Sequence, residues 1–350
     1  MIFLILCYDN SMKKYVWFAC ISIGLIAILV AYLVLFPIGY FSGGLSNQTW
    51  NAEQEFSLEN TITLQKDPNR DFVVLNLADV QFENSDLLNG TFANSKALIS
   101  TMIAEKQPDL ITMTGDNFTG SENHLVIKEW VEFIDEFQIP WAPVMGNHDW
   151  EGSGDYNWVA DEFLKSEYCI LEKGPAEMGV GNYVITIMEQ DTLVHALIMM
   201  HTHNYVEDGY DHVWPVQQEW YSWVINGLST LAQKVVPTSV IFHIPLVEYA
   251  DAWEYWSEQN FDPNIGFGEK NERVDSSKTN NGFFTLLKNL NSTKLVLCGH
   301  EHLNHFSILY QGIRLTYAVK SSLASYHNDN LGGTVLSISS AEVSVEQLIV

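Results

Sequence analysis

Trp141-Ala142-Pro143-Val144-Met145 runs straight into Gly146-Asn147-His148-Asp149. The first five residues are apolar enough for a short buried strand, and the next four are turn formers. The stretch therefore sets an amide oxygen, an imidazole and a carboxylate at the carboxyl end of a strand. That is the edge at which open α/β sheets bind ligands. Taken alone, the tetrapeptide is ordinary turn chemistry. Four other apolar runs end the same way, at Asp79-Val80-Gln81, Gly115-Asp116-Asn117, His243 and Gly299-His300-Glu301-His302. Five strand ends bearing oxygen and nitrogen donors point to one shared site.

Outward from Gly146 the chain alternates. Residues 72–77 and 109–114 read as strands, and residues 93–106 and 122–137 as helices, the second with Ser121 as its N-cap. Strand–helix–strand order of this kind implies a mainly parallel sheet. Further strands are expected at 183–188, 196–200, 239–242 and 294–298, with helices at 216–231 and 281–290. From His305 onward short β runs with glycine turns take over, at 314–319, 334–339 and 343–349. The fold class is α/β, with two sheets face to face and helices outside, a four-layer α-β-β-α sandwich spanning residues 71–350.

The N-terminal part differs. Residues 15–41 (YVWFACISIGLIAILVAYLVLFPIGYF) carry no charge, and roughly 20 apolar residues span a bilayer. Lys13 and Lys14 precede the run, and the next basic residue is Lys66. By the positive-inside rule residues 1–14 are cytoplasmic, 15–41 form a transmembrane signal anchor, and the rest is luminal or extracellular. Residues 42–70 are polar and read as a linker. Sequons at Asn47, Asn89, Asn117 and Asn291 fit that address, although a glycan on Asn117 would block the site.

Seventeen Lys and Arg against 43 Asp and Glu leave a formal net charge of -26. Such a surface repels nucleic acid, which is excluded as a partner. It repels a phosphate ester equally, unless cations sit where the carboxylates gather. Asp, Asn and His without thiolate suit Mn, Fe, Zn or Mg. One carboxylate between two such ions can bridge them, and a nearby imidazole that is not a ligand can protonate a leaving oxygen.

Read in order, ADVQ, TGDN, GNHD, FHIP and GHEH resemble the signature of the calcineurin-like metallophosphoesterases. The longer stretches GNHDWEG, GVGNY, FHIPLVEY, SSKTNNGFF and GHEHLNHF look like the purple-acid-phosphatase-like branch of fungi and plants. The resemblance implies two divalent or trivalent metal ions. One would take Asp79, Gln81, Asp116 and His302; the other would share Asp116 and add Asn147, His243 and His300. It also implies catalytic roles for His148, as the acid facing the leaving group, and for Asp149, which supports the loop. Gln81 stands where that family usually has His. A neutral amide oxygen there favours Mn over Zn. The implied activity is hydrolysis of a phosphomonoester or phosphoprotein by a metal-held hydroxide. A phosphodiesterase, a nucleotide-diphosphate hydrolase and an inactive binding module remain as alternatives.

Overall fold

In the computed structural model, which describes Tyr15, residues 20–26 and residues 40–350, two sheets carry the chain from Phe41 to Val350. The smaller runs Val343–Ile349, Gly332–Ile338, Phe72–Leu77, Leu110–Met113, Trp141–Pro143. Its last three strands are parallel to one another. The larger runs Ile62–Gln65, Tyr183–Glu189, Thr192–Met199, Thr238–Ile241, Thr293–Cys298, Ile313–Tyr317, His305–Tyr310, Gly266–Glu269. Its four middle strands, from Thr192–Met199 to Ile313–Tyr317, are mutually parallel.

Side-chain alternation along the larger sheet explains the layering. Leu197, Ile241, Leu295 and Leu297 enter a core shared with the smaller sheet and with the Thr91–Lys106 and His124–Asp135 helices. Their neighbours Ile198, Val240 and Val296 enter a second core under the Pro215–Ala232, Glu248–Glu258 and Phe283–Leu290 helices. Successive strand residues point to opposite faces, so a strand apolar on both faces is covered on both. The predicted four layers follow.

Three expectations need correction. Residues 42–70 are no linker: Phe41 bridges Gly154, Phe56 is buried, and Ile62–Gln65 pairs in parallel with Tyr183–Glu189 at the sheet edge. Four alternating residues on an edge carry too little apolar signal to stand out. Asn123, not Ser121, is the residue before the His124–Asp135 helix. Three helices, Asp86–Asn89, Tyr156–Phe163 and Glu248–Glu258, were not foreseen. The predicted anchor falls largely outside the described residues, of which 20–26 are helical. Among the described residues no helix is long and apolar enough to cross a membrane.

The His124–Asp135 helix is held by Trp130, fully buried with its ring 5.7 Å from Phe82 and 5.8 Å from Phe133. Trp130→Ala should cost about 3–5 kcal/mol of stability, the range for emptying a large buried aromatic. The measurement is the urea midpoint, and an unchanged midpoint would contradict this packing.

Candidate metal centre

All five strand ends meet. Asp79 and Asp116 follow parallel neighbours of the smaller sheet, and Asn147 follows the next strand. His243 and His300 follow parallel neighbours of the larger one. Asp116, His243 and His300 place ligand atoms within 4.8 Å of one another. His302 Nε2 and His243 Nδ1 each lie 3.9 Å from Asp79 Oδ1. Two glycines permit the approach. Gly115 has a φ of 89°, and a methyl on Gly146 would collide with the amide and carboxylate of Asp116. Asp79, Gln81, Asp116 and His300 also hold left-handed φ values, at 52°, 45°, 47° and 84°. Non-glycine residues adopt that region at a cost, typically where the surroundings enforce it at a functional site.

Asp116 is the hub. Its Oδ1 accepts the His148 N–H at 2.8 Å, and its Oδ2 lies 3.2 Å from His243 Nε2 and 3.0 Å from Gln81 Nε2, which donates. His243 donates from Nδ1 to the Thr114 carbonyl at 2.9 Å, leaving Nε2 to face inward. There Nε2 meets Asp116 Oδ2, Asn147 Oδ1 at 3.0 Å and His300 Nδ1 at 3.2 Å. Acceptors thus converge on His243 Nε2, and a proton there or a bound cation satisfies them. His302 repeats the device, its Nδ1 donating to the Tyr326 carbonyl at 2.8 Å. Backbone carbonyls that fix the tautomer of a ligand imidazole are a hallmark of metal sites. The donor set fits two cations.

The local field agrees. Burial disfavours charge on His243, yet Asp116 outweighs it and holds the imidazole up to about 9 without a metal. Burial pushes His300 and His302 down to about 3, so both are neutral and able to coordinate. Burial, aided by Asp116, raises Asp79 to about 6. Such a carboxyl gives up its proton more readily beside a cation.

His148 stands apart, with 31% of its side chain exposed where the metal-type residues are buried. Its Nε2 lies 3.9 Å from Asp116 Oδ2, and its Nδ1 meets Glu151 Oε2 at 2.6 Å. Burial opposes its charge, but Asp116 and Glu151 prevail and raise its pKa above the ordinary histidine value. Gln81, expected to be an oxygen ligand, presents its amide nitrogen to Asp116. Asp149, placed above among the catalytic residues, does not line the cleft. Fully buried, it accepts from Gly146 N, Phe118 N and Asn117 Nδ2 at 2.8, 2.9 and 3.0 Å and ties two site loops together. Asn117 is buried too, which removes it as a glycan acceptor.

Four contributors escaped sequence reasoning. Glu151 orients His148, and its spacing of three residues was the available signal. Tyr205 accepts from Asn147 Nδ2 at 2.9 Å and lies 3.5 Å from Glu151. Tyr210, across the short hairpin of Tyr205–Val206 and Gly209–Tyr210, stands edge-on to His300 with ring centroids 4.3 Å apart. Lys320, buried, donates to the Asp79 carbonyl at 2.6 Å. Above the metal-type residues opens a cleft of about 300 Å³, with Tyr210, Glu272, Arg273, Asp275 and Tyr326 on its walls.

Comparison with known proteins bears on this geometry. The chain is 28% identical over 290 residues to probable inactive purple acid phosphatase 29 of Arabidopsis thaliana, covering 71% of each. It is 28% identical over 232 residues to phosphatase DCR2 of Saccharomyces cerevisiae, covering 61% of this chain and 39% of that one. A dimetal phosphatase structure from Danio rerio aligns with a TM-score of 0.47 at 10% identity, over 79% of this chain and 98% of that one. The sequence model of the calcineurin-like phosphoesterases matches residues 72–304, the span that holds every residue converging on Asp116. The chain belongs to the calcineurin-like phosphoesterase family, whose chemistry is metal-dependent hydrolysis of phosphate esters.

Proposed function

We propose that this chain hydrolyses phosphate monoesters, on small molecules or on phosphorylated protein side chains. His148 carries the reading: a half-open imidazole, its pKa raised by Asp116 and Glu151, beside the carboxylate on which both halves of the site converge. Two divalent cations, manganese preferred, would supply Lewis-acid polarisation of water and phosphate. Asp79, Gln81, Asp116 and His302 would hold one, and Asp116, Asn147, His243 and His300 the other. Glu151 holds Nδ1 of His148, so Nε2 is the nitrogen left to hand a proton to the departing oxygen. Asp149 keeps the two loops in register from below.

An inactive binding module is the second reading. Gln81 favours it, as does the name of the Arabidopsis thaliana relative, probable inactive purple acid phosphatase 29. Against it stand Asp116, His243 and His300, whose ligand atoms lie within 4.8 Å of one another, and Asn147, whose Oδ1 lies 3.0 Å from His243 Nε2. We also retain residues 15–41 as a membrane anchor that sets the catalytic domain on the luminal or extracellular side, supported by the uncharged apolar run after Lys13 and Lys14. The full-length chain should then stay with membranes through alkaline carbonate extraction, and release into the supernatant would refute the anchor.

His148→Ala should lower kcat by about 10²–10⁴-fold on an alkyl phosphate monoester, the usual contribution of a general acid. The loss on p-nitrophenyl phosphate should be smaller, because that leaving group needs little protonation. Equal turnover of wild type and variant on both esters would remove His148 as the acid, and no turnover by the metal-loaded wild type would favour the binding module. Because Glu151 helps raise the His148 pKa, activity that needs the protonated ring is present below that pKa and fades as pH rises through it. Glu151→Gln should therefore move the alkaline limb of the kcat profile to lower pH, and an unmoved limb would remove Glu151 from this role. Gln81→His should keep two metals per chain while raising zinc affinity at least tenfold, since imidazole suits zinc better than an amide does. Elemental analysis decides: one metal in the wild type and two in the variant would mark Gln81 as a lesion.

A further inference from the structure

The hairpin of Tyr205–Val206 and Gly209–Tyr210 belongs to neither large sheet and pairs only with itself, Tyr205 opposite Tyr210 and Val206 opposite Gly209. A two-stranded ribbon is marginal on its own, so its anchors decide where it sits. The Asp211 amide donates to the Asn204 carbonyl at 3.0 Å and closes its base, and the Tyr205 and Tyr210 rings lie 5.4 Å apart. Tyr210 leans on His300, in the loop after a strand of the larger sheet. Tyr205 reaches Asn147, in the loop after a strand of the smaller one. One short hairpin thus touches both halves of the site, although 44% of Tyr205 remains exposed.

An asparagine amide is an ambiguous ligand. Its oxygen offers lone pairs to a cation, whereas its nitrogen offers two N–H groups and repels one. The two ends are nearly equal in size, so packing alone does not choose between them. Hydrogen bonds around Tyr205 make the choice. A carboxylate only accepts, and Glu151 Oε1 lies 3.5 Å from Tyr205 Oη, so the phenol proton points to Glu151. The phenol oxygen then has only lone pairs left, and it accepts from Asn147 Nδ2 at 2.9 Å. Asn147 Oδ1 is thereby turned inward, 3.0 Å from His243 Nε2. The other oxygen of Glu151 takes Nδ1 of His148 at 2.6 Å, so a single carboxylate orders both branches.

We propose that Tyr205 is a positioning residue for the second cation, its hydroxyl locking the Asn147 amide with the oxygen facing the metal centre. The role rests on Asn147 being a ligand, as the proposed function has it, and adds what makes that ligand competent. Without the hydroxyl the amide is free to turn, and a turned amide presents N–H groups where a cation should sit. Outer partners that orient a ligand are worth about 10–100-fold in metal affinity.

Calorimetric titration of the metal-free, full-length chain with Mn²⁺ tests this. The wild type should bind two ions. Tyr205→Phe keeps the ring against Tyr210 and should leave the urea midpoint in place, yet weaken one of the two sites by about tenfold or more. Asn147→Asp supplies the control, because either oxygen of a carboxylate can ligate and orientation ceases to matter. In that background Tyr205→Phe should change manganese affinity by less than about twofold, the coupling that a double-mutant cycle isolates. Equal affinities in wild type and Tyr205→Phe, or the same loss in both backgrounds, would overturn the positioning role alone. A wild type that binds no manganese would overturn the metal centre itself, and this role with it.

Discussion

A buried negative charge at Asp116 is the constraint on which the rest of the site depends. Inside a protein such a charge is tolerated only when paired and hydrogen-bonded. Here a backbone amide takes one oxygen, while Gln81 and His243 take the other. Burial works against ionisation, yet His243 overcomes it and keeps the carboxyl well below the usual carboxylate range. Each partner comes from a different strand end, so satisfying one oxygen pair requires three loops and both sheets to be in place. Stability and chemistry share the same contacts, which is why the loops beneath are braced by a second carboxylate, Asp149.

The same economy explains how so acidic a chain can handle phosphate. With a formal net charge of -26, its surface repels the substrate class its family processes. Cations held by the metal-type residues would invert that sign locally, because imidazoles and carboxylates gather there around one point. Lys320, buried and donating to the Asp79 carbonyl, adds positive charge, although burial lowers its pKa to about 8. Arg273 at the cleft wall is paired with Asp275, which leaves the metal centre as the principal attraction for an anion.

Much of this was legible before any coordinates. The ends of apolar runs announce themselves when Asp, Asn and His recur there, since those residues seldom close five strands by accident. Alternation of strand and helix carried the central architecture for the same reason: long apolar periodicity is hard to mistake. What stayed hidden depends on contacts that leave no trace in spacing. Lys320 is explained by a backbone carbonyl 241 positions away, and Tyr205 by an amide 58 positions away. Ile62–Gln65 is an edge strand half open to water, so its residues need not be apolar. Asp149 sits inside the most conspicuous motif, yet its oxygens turn toward amides rather than the cleft. A motif names a residue without saying which way it points.

The span of chain between the two halves of the site has a consequence for how the protein is made. The His300 amide reaches the Asp79 carboxylate across 221 positions. Contacts that distant form slowly, because the intervening chain must lose its freedom before they reward it. During synthesis the amino-terminal half emerges with Asp79, Asp116 and Asn147 while His243, His300 and His302 are still to be translated. Neither half alone encloses an ion. The site is therefore complete only once the last strands dock.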